Sequence, residues 1–241
     1  FSGGTVDIVT KDYAEKPFFK VALSSGYNSL TTGKPFMQSA PDFRSYTGFN
    51  RSKRAMPDPV ASLPFYNYNE NGGNAGPGFA TSWSPQQRSA PVNQGITFSG
   101  GNLYKLGGGK EFGFLANLAF KNDYSYLEGV SGLYNAQKSP RYRYATEAYQ
   151  YNTNTSGLLN LYYRSSSKSS YNLTFLYVND SNDGVFDNSG SQFDLGEIYG
   201  RRNTYTQNTL LSAQLKNNLQ FNESVNFNWA LGYSKTIGSM P

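Results

Sequence analysis

Residues Gln207–Lys235 read QNTLLSAQLKNNLQFNESVNFNWALGYSK. Odd positions carry Thr209, Leu211, Ala213, Leu215, Leu219 and Phe221, then Val225, Phe227, Trp229, Leu231 and Tyr233. Even positions carry Ser212, Gln214, Lys216, Asn218 and Gln220, then Asn226, Asn228, Ala230, Gly232 and Ser234. Successive side chains of an extended strand point to opposite faces, so a period of two sorts them into an apolar face and a face of amides, hydroxyls and small groups. Phe221-Asn222-Glu223-Ser224 is short and polar, as a tight hairpin connection should be. Two environments produce such a hairpin. A soluble sandwich buries the apolar face and wets the other; a membrane barrel turns the apolar face to lipid and the polar face to a lumen.

Working outward, the same rule recurs. Lys16–Tyr27 places Phe19, Val21, Leu23, Ser25 and Tyr27 on one face and Lys20, Ala22 and Ser24 on the other. Gln94–Leu106 is extended, and Gly107-Gly108-Gly109-Lys110 turns it into Phe112–Tyr126. Gly157–Arg164 and Tyr171–Asn179 form a further pair around Ser165–Ser169. The segments between these pairs (28–93, 127–154 and 180–202) are polar and predict long loops. Connections thus alternate long and short, which suits an up-and-down barrel with two chemically different ends better than a sandwich. About seven strands are predicted, whereas plugged barrels need about 22; the expectation is a segment of a larger barrel.

Composition agrees. Hydrophobic residues are 37% of the 241, yet 20 Tyr and 17 Phe bring aromatics to 16%, the balance expected where half of each strand is polar and rings form girdles at the membrane surfaces. No apolar run approaches the roughly 18 residues of a transmembrane helix. The absence of Cys removes disulfides and thiolate metal sites. The absence of His removes the usual general base and the commonest metal ligand, which argues against most hydrolytic chemistry. The net charge of +5 is modest, and its basic clusters are scattered through polar segments. A nucleic-acid surface would interleave basic and aromatic groups on one face.

Several motifs invite a chemical reading. Gly107–Lys110 lacks the frame of a phosphate loop and reads as a turn. Asp180, Asp183 and Asp187 have the oxygen density of a calcium loop without its terminal Glu, and stand as a weak cation candidate. Asp194 and Glu197 could serve as an acid/base pair only if a pocket enclosed them. Loop aromatics are the better candidates for ligand contact, with Tyr66, Tyr68, Trp83, Tyr142 and Tyr144 foremost. The lipid-facing candidates are Phe112, Phe114, Leu118, Phe120, Leu173, Phe175, Leu211, Leu215, Phe227, Trp229 and Leu231. The lumen-facing candidates are Lys20, Asn117, Lys121, Asn160, Asn172, Thr174, Gln214, Lys216, Asn218, Asn226 and Asn228. Lys216 is placed inward because a lipid-facing Lys at mid-membrane costs about 2–4 kcal/mol.

A resemblance sharpens the expectation. Gly3-Gly4-Thr5-Val6-Asp7-Ile8-Val9-Thr10 resembles the closing strand of the plug domain in TonB-dependent outer-membrane receptors, where the first barrel strand follows within a few residues. Gly48-Phe49, then Arg54 and Met56-Pro57, is similar to a segment in the first long loop of such receptors from Bacteroidetes; Asn50, Arg51 and Lys53 stand where that segment is more often acidic. The resemblance implies residues 1–12 as the end of a plug and 13–241 as the first part of an antiparallel transmembrane β-barrel. It implies integral residence in the bacterial outer membrane and energised import without a cofactor or enzymatic activity. The partners it implies are outer-membrane lipid, the TonB complex through a segment outside this sequence, and a surface lipoprotein lid or other outer-membrane subunits. Two other readings are a barrel subunit scaffolding a secretion or surface-lipoprotein complex, and a soluble secreted β-sandwich adhesin.

Overall fold

The computed structural model describes residues 12–39, 42–55 and 84–240. In chain order the elements are strands β1 (Phe18–Gly26) and β2 (Pro35–Gln38), short helices α1 (Phe43–Thr47) and α2 (Arg51–Arg54), and strands β3 (Gln86–Ser89), β4 (Asn93–Gly107), β5 (Lys110–Tyr134), β6 (Pro140–Ser166), β7 (Ser169–Gln192), β8 (Gly196–Gln220) and β9 (Asn226–Ser239). The protein is all-β. Seven strands form one antiparallel sheet in the order β1-β4-β5-β6-β7-β8-β9, and β2 and β3 pair separately. The sheet is open: among the described residues β1 and β9 have strand partners on one side only. No described helix is long and apolar enough to cross a membrane, which leaves strands untouched as a means of crossing.

The opening hairpin has the expected register. Leu215 faces Leu231, Ala213 faces Tyr233 and Asn218 faces Asn228. Its turn closes with the Phe221 N–H donating to the Val225 carbonyl at 3.0 Å. At the other short turn Gly107, Gly108 and Gly109 all have positive φ (83°, 60° and 74°), a geometry that glycine enters without a Cβ penalty.

Two of the three predicted long loops are corrected. Residues 127–154 and 180–202 are largely strand, because β5, β6, β7 and β8 run 25, 27, 24 and 25 residues before short turns at Asn135–Ser139 and Phe193–Leu195. The alternation of apolar and polar side chains fades beyond Phe120, since both faces there carry Tyr, Asn, Thr and Asp. Pairing is nevertheless continuous, with Tyr124 opposite Tyr151 and Tyr151 opposite Asp183. The third tract, 28–93, carries β2, α1, α2 and β3, and these cover one face of the extended half of the sheet. The core lies beneath this insert, where Phe36, Ala90, Tyr124, Tyr149, Tyr151 and Val185 cluster. The Phe36 ring meets Tyr124 and Tyr149 edge-on at 5.3 and 5.6 Å.

Candidate functional site

Partners in an antiparallel ladder share a face, so the register sorts the whole sheet. One face carries columns of apolar side chains over the half nearer the β4–β5, β6–β7 and β8–β9 turns, hereafter the short-turn end. On β5 these are Phe112, Phe114, Ala116, Leu118 and Phe120; on β6 Leu159, Leu161 and Tyr163; on β7 Tyr171, Leu173, Phe175 and Tyr177. They continue through Leu211, Ala213 and Leu215 on β8 to Phe227, Trp229, Leu231 and Tyr233 on β9. All eleven lipid-facing candidates are on this face. One register row at the short-turn end runs Tyr104, Phe112, Tyr163, Tyr171, Asn217, Trp229 across six strands. The single amide in that row is satisfied locally, Asn217 Nδ2 donating to the Ser170 carbonyl at 2.9 Å. Lys235 also shares this face, opposite Leu211 in the row farther from that end.

The eleven lumen-facing candidates all project from the opposite face. Lys20 shares it with Asn117 through Ser99; Asn160, Thr174 and Gln214 form one row; Asn172 and Lys216 form the next; Asn218 and Asn228 pair beside it. Sequence reasoning missed a strip on this face, Leu115, Leu158, Leu176, Val178 and Leu210, so the polar wall is interrupted at mid-height. Farther along, two all-polar rows follow. The first is Lys121, Asn154, Asp180 and Asn208; the second is Asp123, Asn152, Asn182 and Thr206. Cross-strand hydrogen bonds lock them: Asn154 Nδ2 to Asp180 Oδ1 at 2.5 Å, Asn182 Nδ2 to Asn152 Oδ1 at 2.6 Å, Asn93 Nδ2 to Asp123 Oδ1 at 2.6 Å. They line an open trough of about 680 Å³.

The segment leading into β1 lies against this polar face. The Tyr13 ring packs on Tyr162 at 4.5 Å. Glycines make the approach possible: a Cβ on Gly113 would stand 2.6 Å from Tyr13 Cβ, and one on Gly101 2.8 Å from Ala14 Cβ. Asp12 and Lys216 border the same hollow, with Asn172 and Asn228.

Above Phe120 the apolar face gives way to a buried polar network beneath the insert. Asp183 is 3% exposed. Its carboxylate accepts from Arg54 Nη2 at 2.8 Å and from Ser39 Oγ at 2.7 Å, and the Arg54 guanidinium lies 4.4 Å above the Tyr205 ring. Burial raises the Asp183 pKa, with Arg54 opposing the rise. Asn179 donates to the Gly48 carbonyl at 3.0 Å and accepts from Gln207 Nε2 and Thr209 Oγ1 at 2.9 and 2.8 Å. The Tyr205 hydroxyl accepts from the Asn50 N–H at 3.1 Å. The signal available in the sequence was the run of polar side chains at alternate positions, Asn179, Ser181 and Asp183 and then Asn203, Tyr205 and Gln207.

Of the loop aromatics, Tyr66, Tyr68 and Trp83 lie outside the described residues, as does the Gly3–Thr10 motif. Tyr142 and Tyr144 are on β6 and stack at 4.9 Å on the same face as the trough, Tyr144 donating to Gln192 Oε1 at 2.8 Å. The three cation candidates do not converge. Asp180 faces the trough, Asp183 pairs with Arg54, and Asp187 pairs with Arg201 across β7 and β8. They sit on a strand, whose alternation sends 180 to one face and 183 and 187 to the other. Asp194 lies in the β7–β8 turn and Glu197 opposite Ser191, both exposed, so no enclosing pocket unites them.

No protein-family model matches the chain, and no match is found among curated proteins or solved structures.

Proposed function

We propose that this chain forms part of the wall of a plugged outer-membrane barrel, with further strands completing the closure, and that the barrel serves TonB-dependent import. One observation carries the reading: the apolar columns span nine residues on β5 (112–120), against the 9–11 residues with which a tilted strand crosses hydrocarbon. The short-turn end of that band carries a row of rings, as a membrane-interface girdle requires. The polar face then looks inward, and Asp12–Ala14 seat on it where a plug's exit segment would enter the lumen. The Gly3–Thr10 resemblance supports the same arrangement.

These 241 residues contain no Cys, so a Cys introduced among them is a unique label within this sequence, and any Cys elsewhere in the full-length protein is replaced by Ser. With the full-length protein in liposomes, a fluorophore on Leu215→Cys is expected to be quenched by brominated lipid. The free Lys216→Cys thiol is expected to react with a water-soluble maleimide, and a fluorophore attached there instead is expected to escape quenching. Equal behaviour at the two sites would sink the barrel reading. Import is read from a deletion strain grown on single nutrient sources. A source-specific defect, reproduced when TonB is disrupted, is expected; normal growth on every source would remove import and leave the barrel standing.

A further inference from the structure

The insert places a small amphipathic surface directly above the apolar band. Helix α1 is capped at both ends: Asp42 Oδ1 accepts from the Ser45 N–H at 2.7 Å, and Gly48 closes the C-terminus with φ of 79°. Its inner side is pinned to the sheet. The Tyr46 ring lies 5.9 Å from Phe120, the top ring of the β5 column, and the Tyr46 hydroxyl donates to Gln94 Oε1 at 2.7 Å. The Tyr151 hydroxyl donates to the Tyr46 carbonyl at 2.7 Å, while Ser45 is buried.

The outer side points away from the protein. Phe43 is 78% exposed and Phe49 40%, although a well-fastened turn could have carried polar groups there. Arg44 and Arg51 are exposed beside them, and among the described residues neither is in an ion pair. Headgroups occupy roughly 5–7 Å on each side of the hydrocarbon, which is the depth of one helical turn above Phe120. Rings at that level settle their faces among the upper acyl carbons, and guanidiniums beside them bind phosphate bidentately.

Resting on the barrel reading, we infer that α1 and the start of α2 form a lipid-docking surface: Phe43 and Phe49 enter the membrane interface while Arg44 and Arg51 hold the phosphate of an anionic lipid. Lipid, in preference to a protein partner, follows from continuity with the apolar band and from exposed cations, in no ion pair among the described residues, standing next to exposed rings in the chain. The insert then acts as a collar that sets how deep the sheet sits.

The test reconstitutes the full-length protein in nanodiscs of phosphatidylcholine alone or mixed with phosphatidylglycerol. A bimane on Phe43→Cys should be quenched by shallow-brominated lipid but little by deep-brominated lipid, with Leu215→Cys as the deep reference. Phosphatidylglycerol retained on the protein in native mass spectrometry should fall several-fold in Arg44→Glu/Arg51→Glu, with retention of phosphatidylcholine unchanged. Quenching at position 215 with none at 43, or retention indifferent to the charge reversal, would overturn the docking surface and leave the barrel intact. Quenching at neither position would overturn both, and a bimane at 43 shielded from lipid by another protein would assign the surface to that partner.

Discussion

Asp183 and Asp187 lie on the same face of β7 and carry opposite perturbations. Asp183 is held under the insert, and its pKa is raised because desolvation outweighs Arg54. Asp187 is lowered, mainly because Arg201 hydrogen-bonds its carboxylate, the Nε donating at 2.6 Å. The stability signs therefore differ. The Asp187 contribution is present above the ordinary value of 3.8 and is lost as pH falls through its lower folded pKa. The Asp183 contribution is full below 3.8 and is lost as pH rises through its raised folded pKa. Carboxyl-carbon NMR titration of the folded protein should show the two midpoints displaced to opposite sides of 3.8; displacement in the same direction would contradict this account. A second expectation concerns the pair itself. Removing one member of a buried ion pair strands the other, at about 3–5 kcal/mol, whereas replacing both by apolar groups is often neutral. Arg54→Met should destabilise by that order in urea unfolding, and Arg54→Met/Asp183→Leu should recover most of it.

At the level of elements, the insert depends on one close approach. Gly48 has φ of 79°, and a Cβ there would run into Thr153 Oγ1 and Ser181 Oγ. Its carbonyl accepts the Asn179 amide. Gly48→Ala therefore combines backbone strain of roughly 1–2 kcal/mol with a collision that lifts α1 from the sheet. Hydrogen exchange at the Tyr46 and Phe49 amides should accelerate and trypsin should cleave after Arg44 or Arg51; unchanged protection would refute the idea. The hairpin of β8 and β9 is legible in the sequence because Leu215, Leu231 and their neighbours meet a uniform environment on one face and amides on the other. The outer halves of β5 to β8 are not, since there the insert supplies polar partners to one face and solvent to the other. Tyr151 and Asp183 then look like loop residues, and Asn179 like the end of a strand. The seat for Tyr13 was equally hidden: it is made by Gly101 and Gly113, whose meaning appears only once β4, β5 and the incoming segment are side by side.

For the molecule as a whole, the barrel and sandwich readings diverge in how an added charge is penalised along one column. Leu215 sits within the apolar face, one row in from the ring row that holds Trp229, between Leu173 on β7 and Leu231 on β9. Phe227 lies near the short turn, opposite Leu219, and Lys216 projects from the other face beside Asn172 and Ala230. Hydrocarbon makes a lipid-facing Lys cost about 2–4 kcal/mol at the midplane, falling to about 0–1 near the interfaces. A dry core between two sheets has no such depth profile, because every enclosed charge is stranded alike. In urea unfolding from liposomes, Leu215→Lys and Leu231→Lys should each lose more than Phe227→Lys, toward the midplane figure of about 2–4 kcal/mol, with Phe227→Lys at about 1 or less. Lys216→Leu should stay within about 0.5 kcal/mol, as for a surface change. Repeating the series in thinner bilayers should shrink the central penalty, since a charged side chain then has less distance to snorkel. Equal losses at positions 215, 227 and 231, independent of lipid length, would place these side chains in a protein interior and remove the basis for a membrane wall. The graded outcome would mean that the apolar face is matched to bilayer depth and that the polar rows of Lys121, Asn154, Asp180 and Asn208 face the enclosed path.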